Sequence, residues 1–135
     1  MTGHVFPDAS FWIAYRDERQ NLHEEAKRIL GEVFRRRSKF VTTLPVLCEI
    51  QAHFSRSLKK KKLVLEDFEN NPLVHQEEIA HMDQQRAFEL LRRHADKSYS
   101  LCDALSFVII RRVGLKQVLT FDDHFRQFGE FEIIS

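Results

Sequence analysis

Four short apolar segments spread along this 135-residue chain each carry one acidic residue that a packed core has no use for. Asp8 ends the segment 4–8, Glu49 lies within 44–50, Asp103 lies within 100–110, and Asp122 directly follows 118–121. A carboxylate in such surroundings costs free energy unless it is hydrogen-bonded, paired or bound to a cation. A fold that gathers all four must offset their mutual repulsion, and a hard divalent cation held by oxygen ligands does so. If the chain returns these four segments to one place, a metal-dependent active site is the first hypothesis.

The order of apolar patterns supplies a way to do this. Val5 and Phe6 read as a short strand punctuated by Pro7, and residues 9–16 as a helix given bulk by Phe11, Trp12 and Tyr15. Leu22, Ala26, Ile29, Leu30 and Val33 follow helical spacing, with Asn21 as expected N-cap. Residues 39–42 read as a second strand. Thr43 then caps a helix that tolerates Pro45 in its first turn and presents Glu49. A strand is expected at 73–75, an amphipathic helix over 77–94, and a helix over 100–113 ended by Gly114. Residues 117–120 read as a strand, 122–128 as a short helix, and 131–134 as a terminal strand. Strands alternating with helices predict a single α/β domain over residues 1–135, a three-layer α/β/α arrangement with a mostly parallel sheet of four or five strands. In such sheets ligands gather at the carboxyl ends of strands, where Asp8 and Asp122 fall.

Composition narrows the function. The net charge of +1 hides an asymmetry: residues 1–62 hold 13 Lys and Arg against 7 acids, and residues 63–135 hold 8 against 13. The positive charge concentrates in residues 35–39 and 56–62, clusters that suit a phosphate backbone; the competing reading is a solvated helix end and loop. No apolar run approaches the roughly 20 residues of a membrane helix, and the N-terminus lacks the pattern of a secretory signal. Cys48 and Cys102 form no C-x-x-C pair and are expected to be buried free thiols in a reducing cytoplasm.

Rival chemistries fail on spacing. The seven histidines include no H-x-x-x-H pair, and the cysteines join no Cys/His cluster for zinc. There is no G-x-S-x-G elbow and no phosphate-binding P-loop. A receiver-type phosphorylation domain would want paired acids after its first strand. Asp8 and Asp122 also read as helix N-caps after strands, and a buried ion pair would account for Glu49 or Asp103. Asp123 competes with Asp122 for one place, and His124 reads either as a surface residue or as a contact to substrate.

Asp8-Ala9-Ser10 after the first strand, Thr42-Thr43-Leu44-Pro45-Val46-Leu47-Cys48-Glu49, Ser100-Leu101-Cys102-Asp103-Ala104-Leu105-Ser106 and Leu119-Thr120-Phe121-Asp122-Asp123-His124-Phe125 occur in that order. Together they resemble the PIN-domain ribonucleases, in particular the VapC-type toxins of toxin–antitoxin pairs, over residues 4–134. The resemblance implies that Asp8, Glu49, Asp103 and Asp122 form a catalytic quartet binding Mg2+ or Mn2+, with Ser10 and Thr120 positioning substrate or water. It favours Asp122 over Asp123, since the acid stands two residues after the threonine. It further implies a cytoplasmic endoribonuclease with RNA as substrate, a cognate antitoxin as partner and a homodimer as assembly. The amphipathic helix near 22–34 and the Phe-rich segments offer apolar faces for that dimer, or else pack internally. An antitoxin would lay an amphipathic segment between the early helices and aim an Arg or Lys at the carboxylates. The alternatives are a PIN nuclease of RNA maturation or surveillance without an antitoxin, and a non-catalytic module that binds RNA or protein.

Overall fold

A computed structural model describes residues 3–135. Five three-residue strands, β1 (Val5–Pro7), β2 (Phe40–Thr42), β3 (Val74–Gln76), β4 (Gln117–Leu119) and β5 (Glu132–Ile134), form one sheet in the order β3-β2-β1-β4-β5. Every neighbouring pair is parallel. Seven helices connect them: α1 (Ala9–Arg16), α2 (His23–Arg35), α3 (Leu44–His53), α4 (Leu58–Glu69), α5 (His81–Arg93), α6 (Leu101–Val113) and α7 (Asp123–Phe128). The expected α/β/α sandwich is present, with five strands, all parallel.

The layering follows from the two-residue period of a strand, which sends alternate side chains to opposite faces. Val5, Phe40 and Leu119 join Ala26, Ile29, Leu30 and Val33 of α2 in one core. Phe6, Val41 and Val118 join residues of α3 to α7 in the other. The apolar stripe of α2 is thus spent internally, and it is not a free dimerisation face. Helix α1 serves both cores, with Phe11 and Ala14 on one side and Ala9 and Trp12 on the other.

The strand order sets the site. From β1 the chain winds outward to β2 and β3, then returns to β4 and β5 on the other side. The reversal falls between β1 and β4, and at such a switch point the carboxyl ends of adjacent strands open a crevice. Pro7 stands in the central strand, where a missing N–H would break a ladder. It is the last residue of β1, and Asp8 resumes the bonding by donating its N–H to the Leu119 carbonyl at 3.1 Å.

Four local expectations are corrected. Residues 77–80 are not helical, because Glu77 N–H continues the ladder to the Thr42 carbonyl at 2.8 Å and Arg112 holds Glu77 Oε1 and the Glu78 carbonyl at 3.1 and 2.9 Å. Helix α5 starts only where the Asp83 carboxylate accepts the Ala80 N–H at 2.8 Å. Asn21 does not cap α2; Leu22 holds the N-cap position without a side-chain bond, and a turn bonding His23 N–H to the Gln20 carbonyl sets the start. Cys48 is exposed, one turn beyond exposed Leu44 on the solvent side of α3, while Val46 and Ile50 face inward. Cys102 is half-buried against Glu49.

Candidate active site

Each of the four acids arrives by a different element, and all face the carboxyl edge of the sheet. Asp8 is the N-cap of α1, directly after β1, and its Oδ1 accepts the Phe11 N–H at 3.0 Å. Asp122 is the N-cap of α7, after β4, and its Oδ1 accepts the His124 N–H at 3.0 Å. Asp103 occupies the third position of α6 in a reciprocal capping box. Its Oδ2 accepts the Ser100 N–H at 3.0 Å, while Ser100 Oγ accepts the Asp103 N–H at 3.0 Å. The capping reading of Asp8 and Asp122 is therefore correct. The positive ends of three helices converge here and offset part of the repulsion among the carboxylates. Glu49 comes from the middle of α3, on an exposed position, without such support.

Hydroxyl groups tie the two strand ends together. Ser10 Oγ donates to Asp8 Oδ1 at 2.7 Å and accepts the Phe121 N–H at 3.0 Å. Thr120 Oγ1 donates to Asp8 Oδ2 at 2.6 Å and accepts the Asp122 N–H at 2.9 Å. The expected helpers Ser10 and Thr120 thus orient Asp8 and hold the backbone entering Asp122.

Burial and neighbouring carboxylates disfavour charge on Asp8 and Glu49. Burial pushes the Asp8 carboxyl up to about 7, against the pull of the Ser10, Thr120 and Phe11 hydrogen bonds, with Asp122 adding repulsion. The Glu49 carboxyl is also raised, first by desolvation, then by Asp103 and Asp122, with Cys102 in hydrogen-bonding reach lowering it. Glu49 in turn helps burial drive the Cys102 thiol upward, so it stays protonated. A cation among these groups would reverse the cost.

Donor chemistry fits such an ion. Ligand atoms of Asp103, Asp122 and His124 lie within 4.8 Å of one another, and hard carboxylate oxygens suit Mg2+ or Mn2+. His124 Nδ1 stands 2.7 Å from Asp103 Oδ2 and 3.7 Å from Asp122 Oδ1. This histidine is half-buried in the cluster, not a plain surface residue; its position two residues past Asp122, in the first turn of a helix, was the available signal. Asp123 is exposed and outside the group, and Asp8 and Glu49 also lie outside it, Asp8 held to Asp122 through Thr120 and Glu49 facing Asp103 and Asp122.

The basic clusters separate. Residues 35–37 end α2 ahead of β2, so they lie at the amino edge of the sheet, away from the acids. Lys59, Lys60, Lys61 and Lys62 open α4, which packs beside α3, with Gln51 Nε2 donating to the Lys61 carbonyl at 3.1 Å. A cavity of about 500 Å³ between α5 and α6, towards the end of α6 opposite Asp103, is lined by Arg86, Arg93, His94, Arg111 and Arg112 together with Glu89, Leu90 and Val108.

A parallel sheet in this order, with Asp8 after β1, Asp122 after β4, Glu49 in α3 and Asp103 opening α6, defines a class. The chain belongs to the PIN domain family, whose model matches residues 5–130. The 23S rRNA-specific endonuclease VapC20 of Mycobacterium tuberculosis is 28% identical over 130 residues, 96% of this chain and 97% of that protein. The crystal structure of M. tuberculosis VapC20, a sarcin–ricin loop cleaving toxin, matches with a TM-score of 0.82 at 26% identity, covering 95% of this chain and 97% of that one. FitAcB from Neisseria gonorrhoeae shares the fold at a TM-score of 0.67 and 14% identity, over 97% and 96% of the two chains.

Proposed function

We propose that this protein is a divalent-metal-dependent endoribonuclease and the toxin of a toxin–antitoxin pair, with residues 1–135 forming a single nuclease domain. The observation that carries the reading is the meeting of Asp103 and Asp122 at one place, with Asp8 joined to Asp122 through Thr120 and Glu49 within electrostatic reach of both, in a PIN-family chain. Likeness to a 23S rRNA-specific endonuclease over nearly the full length supports RNA as the substrate.

In this reading Asp8, Glu49, Asp103 and Asp122 hold Mg2+ or Mn2+. When bound, the ion supplies Lewis-acid polarisation of a phosphoryl oxygen and acidification of a coordinated water. The chain's own groups do the rest. Thr120 and Ser10 fix both Asp8 oxygens, so the carboxylate need not reorganise during reaction. Ser100 holds the Asp103 Oδ2 from the backbone side. Lys59, Lys61 and Lys62 of α4, which packs beside α3, neutralise RNA phosphates.

An antitoxin partner is supported by the resemblance to toxins of this class. Exposed Leu44 and Leu101, at the first positions of α3 and α6, give its amphipathic segment an apolar footing beside the acids. A homodimer is the assembly we propose, with exposed Met82 and Phe88 of α5 as available apolar contacts. No helix among the described residues is long and apolar enough to cross a membrane. The location we propose is the cytoplasm.

Incubation of purified protein with a panel of structured RNAs, including ribosomal RNA, tests the reading. Discrete cleavage that EDTA abolishes and Mg2+ or Mn2+ restores is expected. Binding without cutting under every metal condition would favour a non-catalytic module instead.

A further inference from the structure

We infer that His124 Nδ1 is a direct ligand of the bound cation, so that the site is a mixed nitrogen–oxygen centre favouring Mn2+ over Mg2+. The inference rests on the metal-dependent reading above and concerns a residue outside the four acids.

The first support is distance. Donors in adjacent positions on a six-coordinate ion with bonds of ~2.1 Å lie roughly 3 Å apart. His124 Nδ1 is hydrogen-bonded to Asp103 Oδ2 at 2.7 Å and stands 3.7 Å from Asp122 Oδ1; a cation at this place displaces the bridging proton to solvent, and the two separations bracket that spacing. All three donors lie within 4.8 Å of one another, so one ion reaches them with small side-chain adjustments.

The second support is how the ring is held. Its other nitrogen, Nε2, lies 3.1 Å from Ser98 Oγ, and Tyr99 meets the ring edge-on at a centroid distance of 5.6 Å. The His124 N–H is fixed on Asp122 Oδ1. A ring with one nitrogen turned to carboxylates and the other bonded outward is the arrangement of metal-ligating histidines, whose outer contact sets tautomer and orientation.

A purely structural role explains less. Asp103 already accepts the Ser100 N–H in the capping box, so α6 does not need His124 to satisfy its first turn. A histidine serving only as a hydrogen-bond donor to Asp103 would leave an all-oxygen ion site, the preference of Mg2+. An imidazole donor shifts preference toward the transition series, in which Mn2+ is the member most tolerant of carboxylate and water co-ligands.

Pulsed electron paramagnetic resonance on the Mn2+-loaded full chain tests this without reference to activity. The spin-echo signal is expected to carry 14N modulation, replaced by 15N coupling when histidine is supplied as the 15N isotopologue. His124→Gln should still bind Mn2+, about 10-fold more weakly and without nitrogen coupling, and its Mn2+/Mg2+ selectivity should fall by a similar factor. Ser98→Ala should keep the coupling with weakened affinity. Bound Mn2+ with no nitrogen coupling in the wild-type protein would overturn the inference while leaving a four-carboxylate site intact. Failure of the wild-type protein to bind Mn2+ at all would overturn both. The wild-type spectrum decides the matter even if His124→Gln does not fold.

Discussion

Thr120 Oγ1 bridges the two central strand ends, donating to Asp8 Oδ2 at 2.6 Å and accepting the Asp122 N–H at 2.9 Å. One fully buried hydroxyl thereby couples the acid after β1 to the acid after β4. Thr120→Val keeps the shape and removes both bonds, leaving a buried carboxylate oxygen and a backbone N–H without partners. A loss of about 1–3 kcal/mol is expected for such groups, read as a roughly 10- to 100-fold drop in metal affinity and cleavage. Thr120→Ser should retain most of both. Isothermal titration with Mn2+ and single-turnover cleavage check the pair; equal behaviour of Val and Ser variants would deny the bridge its role.

The raised Asp8 carboxyl makes a signed statement about stability without metal. Its folded value of about 7 lies above the ordinary 3.8, so the folded state holds a proton that the unfolded state has released. The associated stability is fully present below about pH 4, is lost as pH rises through the window up to about 7, and is flat above it. At about 1.4 kcal/mol per pH unit the ceiling is roughly 4 kcal/mol. Asp8→Asn, lacking the charge, should therefore be more stable than wild type in EDTA at ~pH 8 and should show a flatter profile down to ~pH 5. Mg2+ should raise the wild-type Tm at the higher pH and raise the Asn variant less. Denaturant unfolding at both pH values reads this out; a wild-type stability that climbs between them would contradict it.

The two basic clusters should behave differently. Lys60 is engaged, with its ammonium on the Arg16 carbonyl at 2.7 Å and on Glu18, whereas Lys59, Lys61 and Lys62 have no ion pair among the described residues. Changing these three to Gln should reduce the slope of log affinity for RNA against log salt by about 2, given ~0.7–0.9 per phosphate contact. KM should rise with little change in kcat. The matching change of Arg35, Arg36 and Arg37, at the amino edge of the sheet, should leave the slope near wild type. Lys60→Gln should lower the Tm instead. Fluorescence anisotropy of a labelled RNA across a salt series separates these outcomes.

Much of this was legible in the chain. A strand followed at once by an acid, as at Asp8 and Asp122, reports both a helix start and a place at the sheet edge, because the same backbone geometry produces both. Asp103 in an otherwise buried helix, and Gly114 closing it in a left-handed conformation at φ 74°, were equally readable. What stayed hidden depended on contacts between distant segments. Glu77 and Glu78 look helical by local pattern, and contacts from Thr42 and Arg112 hold them outside the helix. Cys48 looks buried until α3 turns Leu44 and Cys48 to solvent. His124 looks like a surface residue until α7 folds its ring onto the first turn of α6.

That four acids from separate elements work as one catalytic unit is tested most directly by single-turnover RNA cleavage with Asp8→Asn, Asp103→Asn and the double variant, at saturating Mg2+. Groups acting on one ion should each cost about 100-fold or more when removed, since the metal supplies several kcal/mol of charge stabilisation. The double variant should then lose little beyond the worse single, because the unit is already broken. Asp123→Asn, on an exposed residue outside the cluster, should cleave as wild type. Single variants that keep wild-type rates, or losses that multiply as if the two acids were independent, would contradict the shared site.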